Sequence, residues 1–453
     1  MHIRTRRKLL ATLTAIFCIG GFLLIFFSQG FSLDVKTGTI EKRGGIYLTF
    51  SPRNATLAIN GKTRKTQRGF LSPGTFVSNL RAGSYELVLT QEEFETWRKT
   101  ITVQPGIVTS ENAVRLWRTE PSTISISSSS QPFFVTRMGL VTGDAGGALV
   151  FRGQTLKGKT VLFSNPESDT IITKSGEDVF VTDLSDDSRK TINVADLFQS
   201  LKEQQLGLPG VVPIERAAPH PFNTDKVLLT TRTSLYILDL KKVQLERVIT
   251  TANLQPFLAT GSQEALVIDS RGTIMAVDLI FKTTESYALR PLAVRRFETT
   301  SNGKTVIIVD SEQSLLVYDT EHRIVQELSE TITDFVISPE GKRLAFAEPG
   351  KGVTVFFLED RYEENEKRER GSRTKIEHSE LTSVHRLLWS PEIREHIIAL
   401  DAEGELTVRE TSKTLPQNSA VLARGIVQAE LFEKELIMRN QTETFSMGLE
   451  SEE

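Results

Sequence analysis

Apolar and polar residues alternate in short runs along most of this chain, as in "GIYLTFSP", "SYELVLTQ", "DVFVTD", "SLLVYD" and "GELTVRE". Period-two alternation bounded by Gly, Pro, Asn and Asp predicts β-strands joined by tight turns, and such runs recur from Gly45 towards the last residues. Two stretches break the pattern. "NVADLFQSLKEQQLGLPG" places Leu197, Phe198 and Leu201 on one side of a helix, with Asn193 ahead of it as a cap and Gly207 and Pro209 to stop it. "LLATLTAIFCIGGFLLIFF", from Leu9 to Phe27, carries no charge.

A helix of that length spans about 28 Å at about 1.5 Å per residue, close to the hydrocarbon thickness of a bilayer. Arg4, Arg6, Arg7 and Lys8 precede it, so residues 1–8 read as a basic cytoplasmic tail, 9–29 as a transmembrane helix and 30–44 as a linker, with the bulk of the chain extracytoplasmic. The competing reading is a cleaved signal peptide, whose apolar core is usually about 7 to 15 residues; the longer run and the poor cleavage site at Ser28 and Gly30 favour a retained anchor. Cys18 is the single cysteine and follows the bulky Phe17, which argues against lipid attachment. No disulfide or cysteine metal site can form beyond it, so the exported part relies on core burial.

After the linker, "ATLAINGK", "GTFVSNLRAGSYELVLTQ" and "TWRKTITVQPG" continue the strand pattern, punctuated by Asn60-Gly61, Pro73-Gly74, Ala82-Gly83 and Pro105-Gly106. Residues 45–118 resemble the PEGA domain, a small β-sandwich-like module of prokaryotic envelope proteins: "FSPRNATLAINGK" matches its first hairpin, "LRAGSYELVL" its glycine-tyrosine strand and "FETWRKTITVQPG" its closing strands. Pro52 and Ala55 keep the namesake tetrapeptide, while Arg53 and Asn54 replace its Glu and Gly. The resemblance implies a spacer or binding module without catalytic residues.

From residue 119 onward a strand ending in an acid recurs, at Asp183, Asp239, Asp278, Asp319, Glu359 and Glu410, with a fainter copy ending at Gly448. The interval is about 40 residues once the helix and the charged insertion "DRYEENEKRERGSR" are set aside, the period of a four-stranded blade. "ISPEGKRLAFAE" and "LLWSPEIREHIIAL" resemble the strand starts of WD-repeat-like β-propellers, without the Trp-Asp ending. The resemblance implies a β-propeller over residues 119–453; the seven repeat ends suggest about seven blades, with six or eight left open, and the segment from Thr123 to Arg152 helps complete a blade with the C-terminal strands.

One octet raises a competing function. "GQTLKGKT", Gly153 to Thr160, fits the phosphate-binding pattern G-x-x-x-x-G-K-[ST], but strand-forming residues follow Lys159 where a helix is required. It reads instead as a hairpin loop between two strands, and no nucleotide is expected. The charge of −3, from 54 basic and 57 acidic residues, gives no basic field for nucleic acid.

Chemistry is sparse elsewhere. Of six histidines, His378 and His385 have the spacing of a weak zinc site but read as loop and strand-edge residues, His220 as a turn residue and His2 as part of the tail. Asp186, Asp187, Glu363 and Glu364 sit in polar loops and read as solvated, and the blade-end acids read as turn partners rather than cation ligands. The charged insertion reads as a mobile solvated loop or a docking loop, and the helix as packed on the core or as a recognition element. No catalytic, cofactor-binding or metal-binding residue is assigned, and no cofactor is expected.

These readings predict a mainly β, single-pass protein that acts as a non-enzymatic scaffold, holding an envelope protein or glycan on the propeller or assisting envelope assembly. The alternative is a propeller-based hydrolase or lyase acting on envelope polysaccharide or peptide. Converging Asp, Glu, His or Arg at a channel mouth would favour that alternative.

Overall fold

The computed structural model describes residues 10, 12–21, 31–34, 39–64, 74–127, 131–144, 146–164, 168–185, 190–204, 213–251, 254–260, 264–288, 293–363, 366–376 and 383–449. The architecture is mainly β. Residues 10 and 12–21 are helical, and the remainder of the uncharged N-terminal run lies outside the described residues. Among the described residues no helix is long and apolar enough to cross a membrane. The segment read as a linker holds a short hairpin, β1 (Phe31–Asp34) against β2 (Thr39–Lys42).

Seven strands build the first module: β3 (Gly44–Ser51), β4 (Thr56–Ile59), β5 (Lys62–Arg64), β6 (Thr75–Leu80), β7 (Gly83–Thr90), β8 (Trp97–Val103) and β9 (Val108–Arg115). They form two sheets, in the orders β6-β3-β9 and β5-β4-β7-β8. Ile46, Leu48 and Val114 of the first and Leu57, Leu87, Leu89, Trp97 and Ile101 of the second close on one apolar core, a sandwich. In β8 every second residue is buried, the period-two pattern its sequence carries. Asn60 and Gly61 both have positive φ, 46° and 72°, as a tight hairpin between β4 and β5 requires.

Beyond the module the described residues form eight four-stranded antiparallel sheets in chain order. They cover residues 133–155, 160–193, 216–250, 254–288, 294–329, 334–376, 384–423 and 428–448. The eighth gains its fourth strand from β10 (Ile124–Ser127), which pairs with Thr444–Gly448 as expected of the segment after Thr123. In the third to seventh sheets the second and third strands are covered on both faces and read as near-continuous apolar runs, such as "TVIIVD" and "SLYILD"; fourth strands, such as Ile324–Ser329, are largely exposed. Each pair of neighbouring sheets shares its own apolar cluster, and the eighth packs Ile437 on Phe133 and Val135 of the first.

Three sequence expectations change. The seven repeat ends fall on or just after third strands, but an additional sheet, whose third strand Leu149–Phe151 ends without an acid, raises the number of sheets to eight. The octet is not a hairpin loop: Gln154–Thr155 is the fourth strand of the first sheet and Thr160–Phe163 opens the second, so Gly158 and Lys159 lie in the passage between sheets. The charged insertion is a hairpin, Arg361–Glu363 against Glu366–Arg368, placed between the third and fourth strands of the sixth sheet. Its ion pairs hold it, as described below.

Among the described residues the sheet domain has one long helix, α1 (Val194–Gln204), which follows the second sheet. Asn193 Oδ1 accepts from Ala195 N at 3.0 Å, the cap its sequence promised. Phe198 is buried edge-on to Tyr236 at 4.9 Å, so the apolar side packs on the second and third sheets.

Candidate functional site

Polar side chains converge first at the joint between module and sheets. β8 begins there with Trp97, whose indole Nε1 donates to Glu410 Oε1 at 2.6 Å. Lys99, two residues on and on the same face of the strand, pairs with Glu111 of β9 and lies 3.9 Å from Glu410 Oε2. Between Trp97 and Lys99 the backbone of Arg98 is clasped by one amide: its N–H donates to Asn418 Oδ1 at 2.9 Å and its carbonyl accepts from Asn418 Nδ2 at 3.0 Å. Glu410 thus stabilises a nearly buried Lys99 and an indole N–H that would otherwise lack water and partner alike.

At the end of β9 the chain drives Trp117 into the core of the seventh and eighth sheets, among Leu388, Ile398, Met447 and Leu449. The Arg115 guanidinium lies 4.3 Å from the Trp117 ring and donates to Leu449 O. His396 meets Trp117 edge-on at 5.8 Å, and burial pushes its imidazole below the ordinary value against the opposing pull of Glu410. A cavity of about 200 Å³ opens beside the joint, between Pro52, Phe94 and Arg118 on one side and Met447 and Gly448 on the other.

A second cluster binds the inserted hairpin. Arg343 is fully buried, stacked 4.6 Å from the Trp389 ring, and donates to Glu340 at 2.8 Å, Glu395 at 2.9 Å and Arg394 O at 2.8 Å. Arg361 of the hairpin reaches the same two carboxylates, Glu340 at 2.6 Å and Glu395. Burial would raise the Glu340 carboxyl, but the Arg343 and Arg361 charges hold it below its ordinary value. Arg370, at the hairpin's exit, pairs with Asp319 of the fifth sheet. Asp319 also accepts from the N–H of Glu321 and His322 at 2.9 Å and faces His322 Nδ1 at 2.9 Å. Burial opposes its ionisation, and these donors together keep the carboxyl well below the usual range. Asp319, His322 and Arg370 line a cleft of about 310 Å³ whose other walls include Val317, Ile324 and Phe356.

A third set ties the first strands of successive sheets. Val294 N donates to Gln255 Oε1 at 3.1 Å; Arg296 pairs with Asp334; Asp334 Oδ2 accepts from Leu387 N at 2.7 Å; Arg386 donates to Glu430 at 2.9 Å. Gln428 of the eighth sheet then donates to Phe133 O of the first at 2.8 Å. Arg296, Asp334, Arg386 and Glu430 are therefore engaged with neighbouring first strands.

The residues singled out from sequence do not form one site. Among the repeat ends, Asp183, Asp239, Asp278 and Asp319 accept backbone N–H groups of the following turn, the turn role expected of them. Glu359 instead bonds Asn302 and Lys342, and Glu410 leaves the repeat pattern to serve the joint. His220 is buried edge-on to Phe222 at 4.4 Å, and burial, with Lys226 nearby, lowers it to about 4. His385 lies on the first strand of the seventh sheet, whereas His2, His378, Asp186, Asp187 and Glu364 lie outside the described residues. Lys159 begins no helix.

Sequence reasoning missed a second row of turn acceptors. Asp269, Asp310 and Asp401 end second strands and Asp144 directly follows one, and each accepts from the N–H four residues on, at 2.7 to 2.8 Å. Their shared signal, an Asp closing an apolar run four or five residues before the next strand, was present in "DSRGT", "DSEQS" and "DAEGE".

A family model described as the PEGA domain matches residues 43–115, the two-sheet module. Among solved structures, the chain is similar to one from "Crystal Structure of Mitotic Checkpoint Complex", with 11% identity and a TM-score of 0.42, covering 74% of this chain and 93% of that one. No curated protein matches the chain.

Proposed function

We propose that this protein is a membrane-anchored, extracytoplasmic scaffold in which the eight sheets are the blades of a β-propeller and the PEGA domain is a rigid spacer carrying it. The observation that carries the reading is the succession of eight shared cores, which passes from sheet to sheet and returns from Ile437 to Phe133 and Val135, with first-strand ties running from the fourth sheet through the eighth to the first. Such an arrangement leaves no sheet face uncovered and offers two broad rims of turns for a protein or glycan. The uncharged run from Leu9 to Phe27 supports the anchor.

The scaffold reading is preferred to a polysaccharide or peptide hydrolase because Arg296, Asp334, Arg386 and Glu430 on the first strands are engaged with one another. A catalytic pair needs a carboxylate or imidazole poised towards substrate.

The test is crosslinking in intact cells with the full chain tagged at its C-terminus, a tagged chain lacking residues 120–453, and E410A. A partner captured by the full chain and lost with the sheets supports the reading. The same partners captured without residues 120–453 would sink it.

A further inference from the structure

We infer that the end of the PEGA domain opposite the joint rests on the bilayer surface, seating Ile107 and Val108 among anionic headgroups. The inference rests on the membrane-anchor reading above.

β3 and β9 run parallel, from Gly44 and Val108 at one end to Ser51 and Arg115 at the joint, and β8 returns from Trp97 to Val103. Eight residues of strand are about 26 Å long, so the two ends of the module are that far apart. The end away from the joint is made by residues 43–45, 79–84 and 103–108, which include no acid. Ile107 and Val108 are each 47% exposed there, although most of the module's large apolar side chains are buried.

Around them stand three cations. Lys42 packs on the turn at Gly106, whose φ of +72° and lack of a side chain let the lysine stem cross it; a Cβ would come 2.4 Å from Lys42 Cε. Arg43 donates to Asn79 O at 3.4 Å, and Arg81 pairs with Glu41 at 3.1 Å. One carboxylate against three cations leaves this end basic. Exposed aliphatic side chains ringed by basic groups are what a bilayer interface with anionic lipid accepts.

Chain continuity selects a membrane over another occupant. The β1–β2 hairpin pairs Phe31 with Lys42, and Lys42 Nζ lies 5.7 Å from the Phe31 ring, so the chain enters the hairpin where it leaves it. Only four residue steps separate Phe27, the end of the uncharged run, from Phe31. Fully extended they reach about 14 Å, so Phe31, which pairs with Lys42 at this end of the module, cannot stand further than that from Phe27.

The experiment uses the full chain with C18S and single cysteines carrying an environment-sensitive nitrobenzoxadiazole dye, reconstituted in phosphatidylcholine nanodiscs with and without phosphatidylglycerol. Lipids spin-labelled near the headgroup or along the acyl chain act as quenchers. L24C reports the anchor, V108C the proposed contact, and R271C the far turns, where the Arg271 side chain is 82% exposed. The expected result is acyl-chain quenching at L24C and headgroup quenching at V108C at least twofold above R271C. K42Q should reduce the V108C signal in discs with phosphatidylglycerol. An unquenched L24C overturns the anchor reading and this inference with it. Quenching at L24C with V108C equal to R271C overturns the surface contact alone.

Discussion

Trp97 and Glu410 lie 313 residues apart in sequence, and the indole of one donates to the carboxylate of the other at 2.6 Å. Through that bond, the Asn418 clasp on Arg98 and the insertion of Trp117 into the seventh and eighth sheets, the PEGA domain is welded to its neighbour by buried groups. Removing Glu410 strands the Trp97 N–H, the Asn418 N–H and part of the charge balance of Lys99. E410A is expected to cost about 3–5 kcal/mol, the usual penalty for breaking a buried charged pair from one side. Calorimetry should show one transition splitting into two as the module and the sheets uncouple. E410Q, which keeps an acceptor for Trp97, should cost less.

The inserted hairpin offers a local test. Arg361 and Arg370 fasten it to Glu340, Glu395 and Asp319. In R361A/R370A the hairpin should open without global unfolding, which uncovers the buried Arg368 and frees the backbone beside the already exposed Lys367 for cleavage. Limited trypsin digestion should cut the variant there at least tenfold faster than the native chain, with the unfolding free energy of the sheets unchanged within about 1 kcal/mol.

The two rows of turn acceptors should differ in worth. Asp310 is buried and accepts from Glu312 N at 3.0 Å and Ser314 N at 2.8 Å. Asp239 accepts from Lys242 N in a more exposed turn. D310A is expected to destabilise by about 1–3 kcal/mol in urea unfolding, because two N–H groups lose their partner in a buried turn, and D239A by under about 1 kcal/mol.

Acid should weaken the fold through His220. Its pKa is lowered from 6.5 to about 4, first by burial and then by Lys226, so the folded protein holds it neutral while the unfolded chain protonates it. The stability it contributes is fully present above pH 6.5 and is lost as pH falls towards 4. H220F, which can keep the ring contact with Phe222, should lose less of its melting temperature between pH 7 and pH 5 than the native chain. Equal losses would show that His220 does not govern the acid limb.

Strands, turns and the helix cap were legible because they depend on neighbours in sequence: Asn60-Gly61 needs positive φ locally, and Asn193 reaches only to Ala195. The PEGA resemblance was legible for the same reason, as a spaced series of such local signals. The first sheet was missed because its third strand, Leu149–Phe151, lacks the acid that marked the others. The charged insertion was misread because a run of Arg and Glu looks solvated until its partners, Glu340, Glu395 and Asp319, are brought beside it by other sheets. The joint was invisible for a similar reason: nothing near Trp97 announces Asn418 or Glu410, and nothing in the Glu410 repeat says that this acid, unlike Asp239, leaves its own turn.

The pairing of β10 with Thr444–Gly448 also sets an order of events in synthesis. Ser125 donates to Glu443 318 residues downstream, at 3.3 Å. At about 5–20 residues per second, β10 emerges roughly 15–60 seconds before its partner exists. During that wait Ile124 and Ile126 stand on a bare strand, available to any other edge the growing chain or its neighbours present. A premature stop anywhere before residue 444 therefore yields more than a shortened product: it leaves that strand permanently without a mate and its edge open to unintended pairing.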